Sequence, residues 1–254
     1  MKSVLCLSGG LDSTVAYFYL KSKNPSDEMM CVYVDLNTKY TNKEITVLEE
    51  LRRKFGVETF IVRGPDMGRY DADQTGYVRF RNLFLAELAA QYGTNIWIVG
   101  VKGDKVVDKS PEAFRIMTDL LNEVSDIDRD GPVKIDSPFW TLTKAELVKL
   151  LLRLEGKDRA FDILQTSSSC YHPTLLHCGE CPSCFRKWIA LEAAGIPSVS
   201  WFRADIRKYN KIPEYIDRMK VGTYDAQRTA ETVLVLAKYE CLPLEAEAQV
   251  RPQE

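Results

Sequence analysis

No stretch of this sequence approaches the roughly 20 consecutive apolar residues that a membrane-spanning helix requires, and Met1-Lys2 runs directly into a short apolar segment, so no export is expected. The expectation is a cytoplasmic protein. A broad positive field is missing as well: 34 lysines and arginines stand against 36 acids, for a net charge of −2. Strong nucleic-acid binding, which draws its affinity from counterion release, is therefore not expected, and a small-molecule substrate fits better. Two familiar nucleotide signatures are also absent. No glycine-rich loop ends in Gly-Lys-Ser/Thr, so there is no Walker loop, and no Gly-x-Gly-x-x-Gly marks a dinucleotide site. No internal repeat is visible.

What remains is a chain of 254 residues, 45% hydrophobic, enough for one large α/β core with a smaller appendage. The seven cysteines are an odd number, and four crowd into the segment from Cys170 to Cys184. In a chain that is not exported, such clustering indicates metal binding rather than disulfides.

Strand and helix patterns alternate along the first 160 residues. Lys2 to Leu7 reads as a buried strand feeding a Ser-Gly-Gly turn, followed by a helix over Ser13 to Lys23 that stops at Asn24-Pro25. Met30 to Leu36 and Glu58 to Val62 are expected strands on either side of a charged helix, Lys43 to Phe55. A loop over Gly64 to Gly76, a helix over Arg81 to Tyr92, a strand over Asn95 to Val101 and a polar loop over Lys102 to Pro111 follow. Pro111 to Val124 is expected as a helix, Val133 to Ile135 as a short strand and Thr143 to Leu154 as an amphipathic helix opened by a Thr143/Glu146 capping box. This alternation predicts a doubly wound, mostly parallel sheet with its ligand site at the carboxyl ends of the strands. The expected organisation is a ligand-binding α/β domain over 1–160, a metal-binding helical region over 161–245 with helices near Phe185 to Ala194 and Ala226 to Tyr239, and a disordered tail over 246–254.

The turn at Ser8-Gly9-Gly10-Leu11-Asp12-Ser13-Thr14 carries the chemistry. Two glycines after a strand let the backbone aim successive N–H groups inward, and the following helix adds its positive end, so an anion is the natural occupant. Ser8, Ser13 and Thr14 bring hydroxyls to the same concavity. Asp12 tolerates phosphate only across a cation, which implies Mg²⁺. An ordinary glycine turn is the bland alternative, and the flanking strand, helix and hydroxyls weigh against it.

Cys178, Cys181 and Cys184 form a C-x2-C-x2-C run with Cys170 upstream. Four thiolates at such spacing can close a tetrahedral Zn²⁺ site with bonds of about 2.3 Å, and a closed shell makes the metal structural. An iron–sulfur cluster is the competing reading, since this run also opens the bacterial ferredoxin pattern; Phe185-Arg186 after Cys184, with no Cys-Pro partner, favours zinc. His172 and His177 lie beside the ligands and are expected outside the first shell. Cys6, Cys31 and Cys241 read as small core residues.

The Ser-Gly-Gly-x-Asp-Ser pattern resembles the PP-loop ATP pyrophosphatases, which implies attack at the α-phosphate of ATP with pyrophosphate leaving. Loop and cysteine cluster together resemble the 7-cyano-7-deazaguanine synthase (QueC) family over most of residues 1–197. The likeness extends to Arg81-Asn82 opening a helix, Gly100 ending a strand, Asp108 with Pro111-Glu112 and Phe114, the Thr-Lys-Ala-Glu segment around Lys144, and Ser169-Cys170-Tyr171. The resemblance implies a Rossmann-like fold, ATP held by Leu7, Ser8, Gly9, Gly10, Leu11, Asp12, Ser13, Thr14 and Asp35, and catalysis by Lys144 and Asp12. It implies substrate contacts from Arg81, Asn82, Gly100, Lys102, Asp108 and Glu112. A solvated lysine, a surface arginine and an acidic first helical turn are the plain alternatives for Lys144, Arg81 and the pair Asp108/Glu112. The implied reaction adenylates 7-carboxy-7-deazaguanine, lets ammonia displace AMP, and uses a second ATP to dehydrate the amide to a nitrile. A homodimer is the implied assembly, and no glutaminase half is visible to supply the ammonia.

Departures from the family pattern fall in the segments expected to line the substrate pocket. Asp35-Leu36-Asn37-Thr38-Lys39-Tyr40 stands where the family has Asp-Tyr-Gly-Gln-Arg-His. Arg79-Phe80 precedes the Arg-Asn pair where a proline is usual, and Asp108-Lys109-Ser110-Pro111-Glu112 replaces Asp-Cys-Arg-Pro-Glu. Two alternatives therefore stay open: the same acyl-adenylate chemistry joining a deazapurine acid to another amine, such as one on a protein partner in a defence system, or a PP-loop enzyme that modifies tRNA.

Overall fold

The computed structural model describes residues 2–25, 28–70, 78–104, 106–174 and 176–242. The tail expected over 246–254 and residues 71–76 of the expected 64–76 loop lie outside them. Five strands, β1 (Ser3–Cys6), β2 (Met29–Asp35), β3 (Phe60–Arg63), β4 (Asn95–Trp97) and β5 (Lys134–Asp136), form one sheet in the order β3-β2-β1-β4-β5. Every pairing is parallel, with Val4 of β1 opposite Met30 on one side and Ile96 on the other. The doubly wound class expected from the alternation is what the chain adopts.

Period-2 alternation divides the sheet into two apolar faces. Leu5, Cys31 and Tyr33 point to one side, where they meet α1 (Leu11–Lys23), α2 (Thr41–Phe55), α6 (Lys144–Glu155), α7 (Lys157–Thr166) and the inner face of α8 (Pro182–Ala193). Val4, Val32, Val34 and Ile96 point to the other, against α3 (Arg81–Ala90) and α4 (Pro111–Glu123). Ala160, Ile163 and Leu164 of α7 belong to the first core, so the sheet's apolar layer continues past residue 160. A short α5 (Ile127–Asp130) precedes β5.

A separate apolar cluster joins the four clustered cysteines and Phe185 and Trp188 of α8 to α9 (Ile212–Lys220) and α10 (Ala226–Lys238). Glu192 ties the two cores together. Its fully buried carboxylate accepts from Ser198 N (2.7 Å), Lys238 Nζ (2.7 Å) and the Tyr239 hydroxyl (2.8 Å), fixing α10 against α8.

Several elements differ from the sequence expectation. The ladder of β4 stops at Trp97 rather than continuing to Val101, because the Ser137 hydroxyl receives Gly100 N (3.0 Å) and donates to Gly100 O (2.7 Å), replacing a strand partner with a side chain. Helices α7 and α9 have no counterpart among the expected elements. A break only one residue wide, Gly156 at φ +74°, separates α7 from α6, so one periodic pattern runs across both. The Thr143/Glu146 capping box opens α6 as expected.

Candidate active site and thiolate cluster

Reversal of strand order between β1 and β4 opens a crevice beyond the carboxyl ends of the strands, where open α/β sheets bind their ligands. A cavity of about 210 Å³ lies there, lined by Leu7, Ser8, Gly10, Asp12 and Ser13 from the glycine turn, Tyr33 and Glu44 from β2 and α2, Arg81 and Asn82 from α3, and Lys109 and Ser169 from distant loops. The turn takes the expected form. Gly9 has φ +71°, and a Cβ there would lie 2.7 Å from Val47, so both conformation and space demand glycine. The amides of Ser8, Gly10 and Leu11 are met by the hydroxyls of Ser13 (3.3 Å), Ser8 (3.4 Å) and Ser169 (3.2 Å). Hydroxyl oxygens are partners that an anion can displace, unlike the carbonyls of a neighbouring strand.

Lys144, the first residue of α6, forms an ion pair with Asp12 at the edge of this turn. Asp12 Oδ1 is buried and, among the described residues, has no hydrogen-bond partner, as does Thr14 Oγ1. An orphaned carboxylate oxygen beside an anion cradle suits a hard divalent cation. Behind Lys144 sits Asp104, 2.9 Å from Lys109 Nζ. Burial pushes the Asp104 carboxyl up, but the charges of Lys144 and Lys109 outweigh it and hold it at about 2.

Opposite the turn, Glu44 Oε2 accepts the Tyr33 hydroxyl at 2.7 Å. Burial raises its pKa above the ordinary carboxylate range, against the lowering effects of that hydrogen bond and of Arg81 and Lys43. Two carboxylates, Asp12 and Glu44, and two cations, Arg81 and Lys109, thus line the cavity.

Not every residue singled out in the sequence reaches the cavity. Leu7, Ser8, Gly10, Asp12, Ser13, Arg81 and Asn82 line it. Asp108 serves from behind, accepting Asn82 N (3.1 Å) and Asn82 Nδ2 (2.9 Å) and so fixing the start of α3, where Phe80 adopts the left-handed conformation at φ +60°. The Asp35 carboxylate is committed to Asn37 N (2.8 Å) and the Thr41 hydroxyl (3.0 Å), shaping the turn after β2. Gly100 seats the Trp140 ring, which would lie 2.1 Å from a Cβ at that position. Lys102 donates to Gln227 of α10 at 2.6 Å, and Glu112 pairs with Arg115 on an exposed face of α4. Glu44, Tyr33, Asp104, Lys109 and Ser169 were not singled out in the sequence; Lys109 and Ser169 carried a signal, the first inside the 108–112 segment expected to line the substrate pocket and the second as the residue before Cys170 in the family-like segment.

The Sγ atoms of Cys170, Cys178, Cys181 and Cys184 lie within 4.8 Å of one another, all four buried. Main-chain N–H groups point at the sulfurs: His172 N and Cys178 N at Cys170 Sγ (3.3 and 3.4 Å), and Glu180 N at Cys178 Sγ (3.3 Å). Such donors stabilise thiolates, so the group suits a metal ion. Neither histidine joins it. The His177 ring instead approaches Gln165 O at 3.3 Å, and burial together with the charge of Lys187 lowers its pKa to about 3.

A parallel sheet wound on both faces, with an anion cradle after β1 and a thiolate cluster on the helical side, defines an α/β enzyme of the PP-loop class. The chain belongs to the family described as queuosine biosynthesis protein QueC, whose profile matches residues 2–69 and 66–195. It is 27% identical over 228 residues to the 7-cyano-7-deazaguanine synthase of Methanocaldococcus jannaschii, covering 77% of this chain and 97% of that one. It is also 27% identical over 244 residues to the synthase of the same name from Chlorobaculum parvum, covering 85% and 100%. Among solved structures, the U34-tRNA thiolase NcsA of Methanococcus maripaludis, with its 4Fe-4S cluster, gives a TM-score of 0.41 at 17% identity over 85% of this chain and 73% of that one. The chain is thus an enzyme of the ligase type typical of its family. Among the described residues no helix is long and apolar enough to cross a membrane.

Proposed function

We propose that the chain is an ATP-dependent 7-cyano-7-deazaguanine synthase acting on 7-carboxy-7-deazaguanine. The observation that carries the reading is the placement of Lys144 on Asp12 at the edge of the hydroxyl-lined turn, beside a cavity with room for a bicyclic base. Family membership and relatives matched over nearly their full length support it.

In this reading the turn amides and the hydroxyls of Ser8 and Ser13 hold the β- and γ-phosphates, and Lys144 stabilises the charge that builds up at the α-phosphate. A Mg²⁺ held at Asp12 would neutralise the departing pyrophosphate. Arg81 orients the substrate carboxylate, while Glu44 accepts the N–H edge on the far side of the heterocycle. A carboxylate oxygen attacks the α-phosphorus as the bond to pyrophosphate breaks. Ammonia then attacks the acyl carbon and AMP leaves, giving the amide. A second adenylation, on the amide oxygen, ends with loss of AMP and two protons from nitrogen to give the nitrile.

We infer zinc at the thiolates. Cys178 Sγ and Cys184 Sγ are 3.8 Å apart, as expected for two ligands about 2.3 Å from one tetrahedral ion. A cubane would interpose irons and sulfides and spread the thiolates further. The residues fit a closed, structural site.

The test is a product assay: protein, ATP, Mg²⁺, ammonium and 7-carboxy-7-deazaguanine, read by mass spectrometry. AMP, pyrophosphate and the cyano product are expected. AMP release with a different adduct, or no AMP at all, would reject the assignment.

A further inference from the structure

We propose that Ser169 is a phosphate-binding residue supplied to the glycine turn by the thiolate segment, and that residues 167–170 form a strap through which the metal site sets the geometry of that turn. The proposal rests on the nucleotide reading of the turn and extends it to a residue and a coupling outside the first 160 residues.

The strap touches the turn at two points. Ser168 N donates to Gly9 O at 2.9 Å, and the Ser169 hydroxyl accepts from Leu11 N at 3.2 Å. Ser169 Oγ is also 3.1 Å from where a Gly10 Cβ would lie, and it lines the cavity beside Ser8, Gly10, Asp12 and Ser13. A serine hydroxyl both donates and accepts. Ser169 can therefore turn its proton toward an arriving phosphate while Leu11 N–H, at the start of α1, is released to the same oxygen. Its position at the positive end of α1 matches that of the hydroxyls already in the turn.

Behind the strap the restraints run straight into the thiolate cluster. Lys187 of α8 donates to Leu164 O (2.7 Å) and the Ser167 hydroxyl (3.2 Å), and Lys43 of α2 donates to Cys170 O and to His172 O (2.8 Å). Ser167 and Ser168 are buried, and Cys170, the next residue after Ser169, is itself a member of the thiolate group. A ligand covalently adjacent to a residue in the cradle cannot move without moving that residue. Loading the metal thus fixes Cys170, and Cys170 fixes Ser169 against Leu11.

Calorimetry of the metal-loaded chain with MgATP and with adenosine tests the first half. Ser169→Ala is expected to weaken MgATP binding about tenfold, the value of one hydrogen bond to a charged group, to leave adenosine binding unchanged, and to retain full metal content. Amide exchange tests the second half: Cys170→Ser, depleted of metal, is expected to exchange faster over residues 8–13 while the amides of β1 and β2 stay protected. MgATP binding unchanged in S169A would overturn the role of Ser169, as would a parallel loss of metal; unchanged exchange in C170S would overturn the coupling. Should C170S lose strand protection altogether, wild-type chain carrying substoichiometric metal gives the same comparison. Failure of the unmodified chain to bind MgATP would overturn the nucleotide reading itself, a result visible before any variant is made.

Discussion

Lys144, which opens α6, is paired with Asp12, the second residue of α1, so that the cation expected over the α-phosphate is held at the edge of the glycine turn before any nucleotide arrives. In the proposed reaction its charge matters most when pyrophosphate leaves. Lys144→Met is expected to lower kcat by about 10²–10³-fold, the usual effect of deleting one group that stabilises transition-state charge, with KM for ATP little altered. Steady-state AMP release checks this. A rise in KM with kcat intact would make Lys144 a binding residue only.

Glu44 predicts a pH effect. As burial raises its pKa, the carboxylate proposed to accept the base's N–H edge forms only above the ordinary glutamate range, about 4.3. kcat/KM for the acid should fall on the acidic side with a midpoint above that range, and Glu44→Gln should abolish this limb. The stability sign is opposite. Between its unfolded and folded pKa values the folded chain holds a proton that the unfolded chain has lost, so Glu44 stabilises below that window and the contribution is lost as pH rises through it. E44Q should therefore lose less stability than wild type across the same window in thermal melts.

The thiolate cluster predicts one zinc per chain. Metal analysis should find it, and a strong chelator should lower Tm, because Cys170, Cys178, Cys181 and Cys184 share an apolar cluster with α9 and α10. Acid-labile sulfide and visible absorbance would instead identify an iron–sulfur cluster.

Gly100 separates packing from substrate contact. A Cβ there would drive into Trp140, so Gly100→Ala should cost about 1–3 kcal/mol of stability through overpacking, with KM for the acid substrate unchanged at low temperature. Thermal melts and kinetics on one preparation decide between the two roles.

Much of this is legible in the sequence because it is local. Ser8 to Thr14 are contiguous, and Cys178, Cys181 and Cys184 repeat on a fixed spacing, so chain order alone brings their chemistry together. Strand identity follows from alternation, and α6 from its capping box. Glu44, by contrast, reads as one more charge in a helix rich in Glu and Lys, and only its approach to Tyr33 marks it. Ser169 lies 158 residues from Leu11, a proximity that no local pattern encodes. Asp108 lies in the expected neighbourhood, yet its carboxylate holds Asn82 rather than lining the cavity. Glu112 and Lys102 sit in a segment that matches the family, but their side chains bind Arg115 and Gln227.

The central claim is that the substrate's own carboxylate oxygen attacks the α-phosphate. Running the reaction with heavy-oxygen-labelled 7-carboxy-7-deazaguanine tests it most directly. Each of the two carboxylate oxygens should be recovered in a separate AMP, with none in pyrophosphate and none left on the nitrile. Unlabelled AMP, or release of ADP and labelled phosphate in its place, would contradict the account.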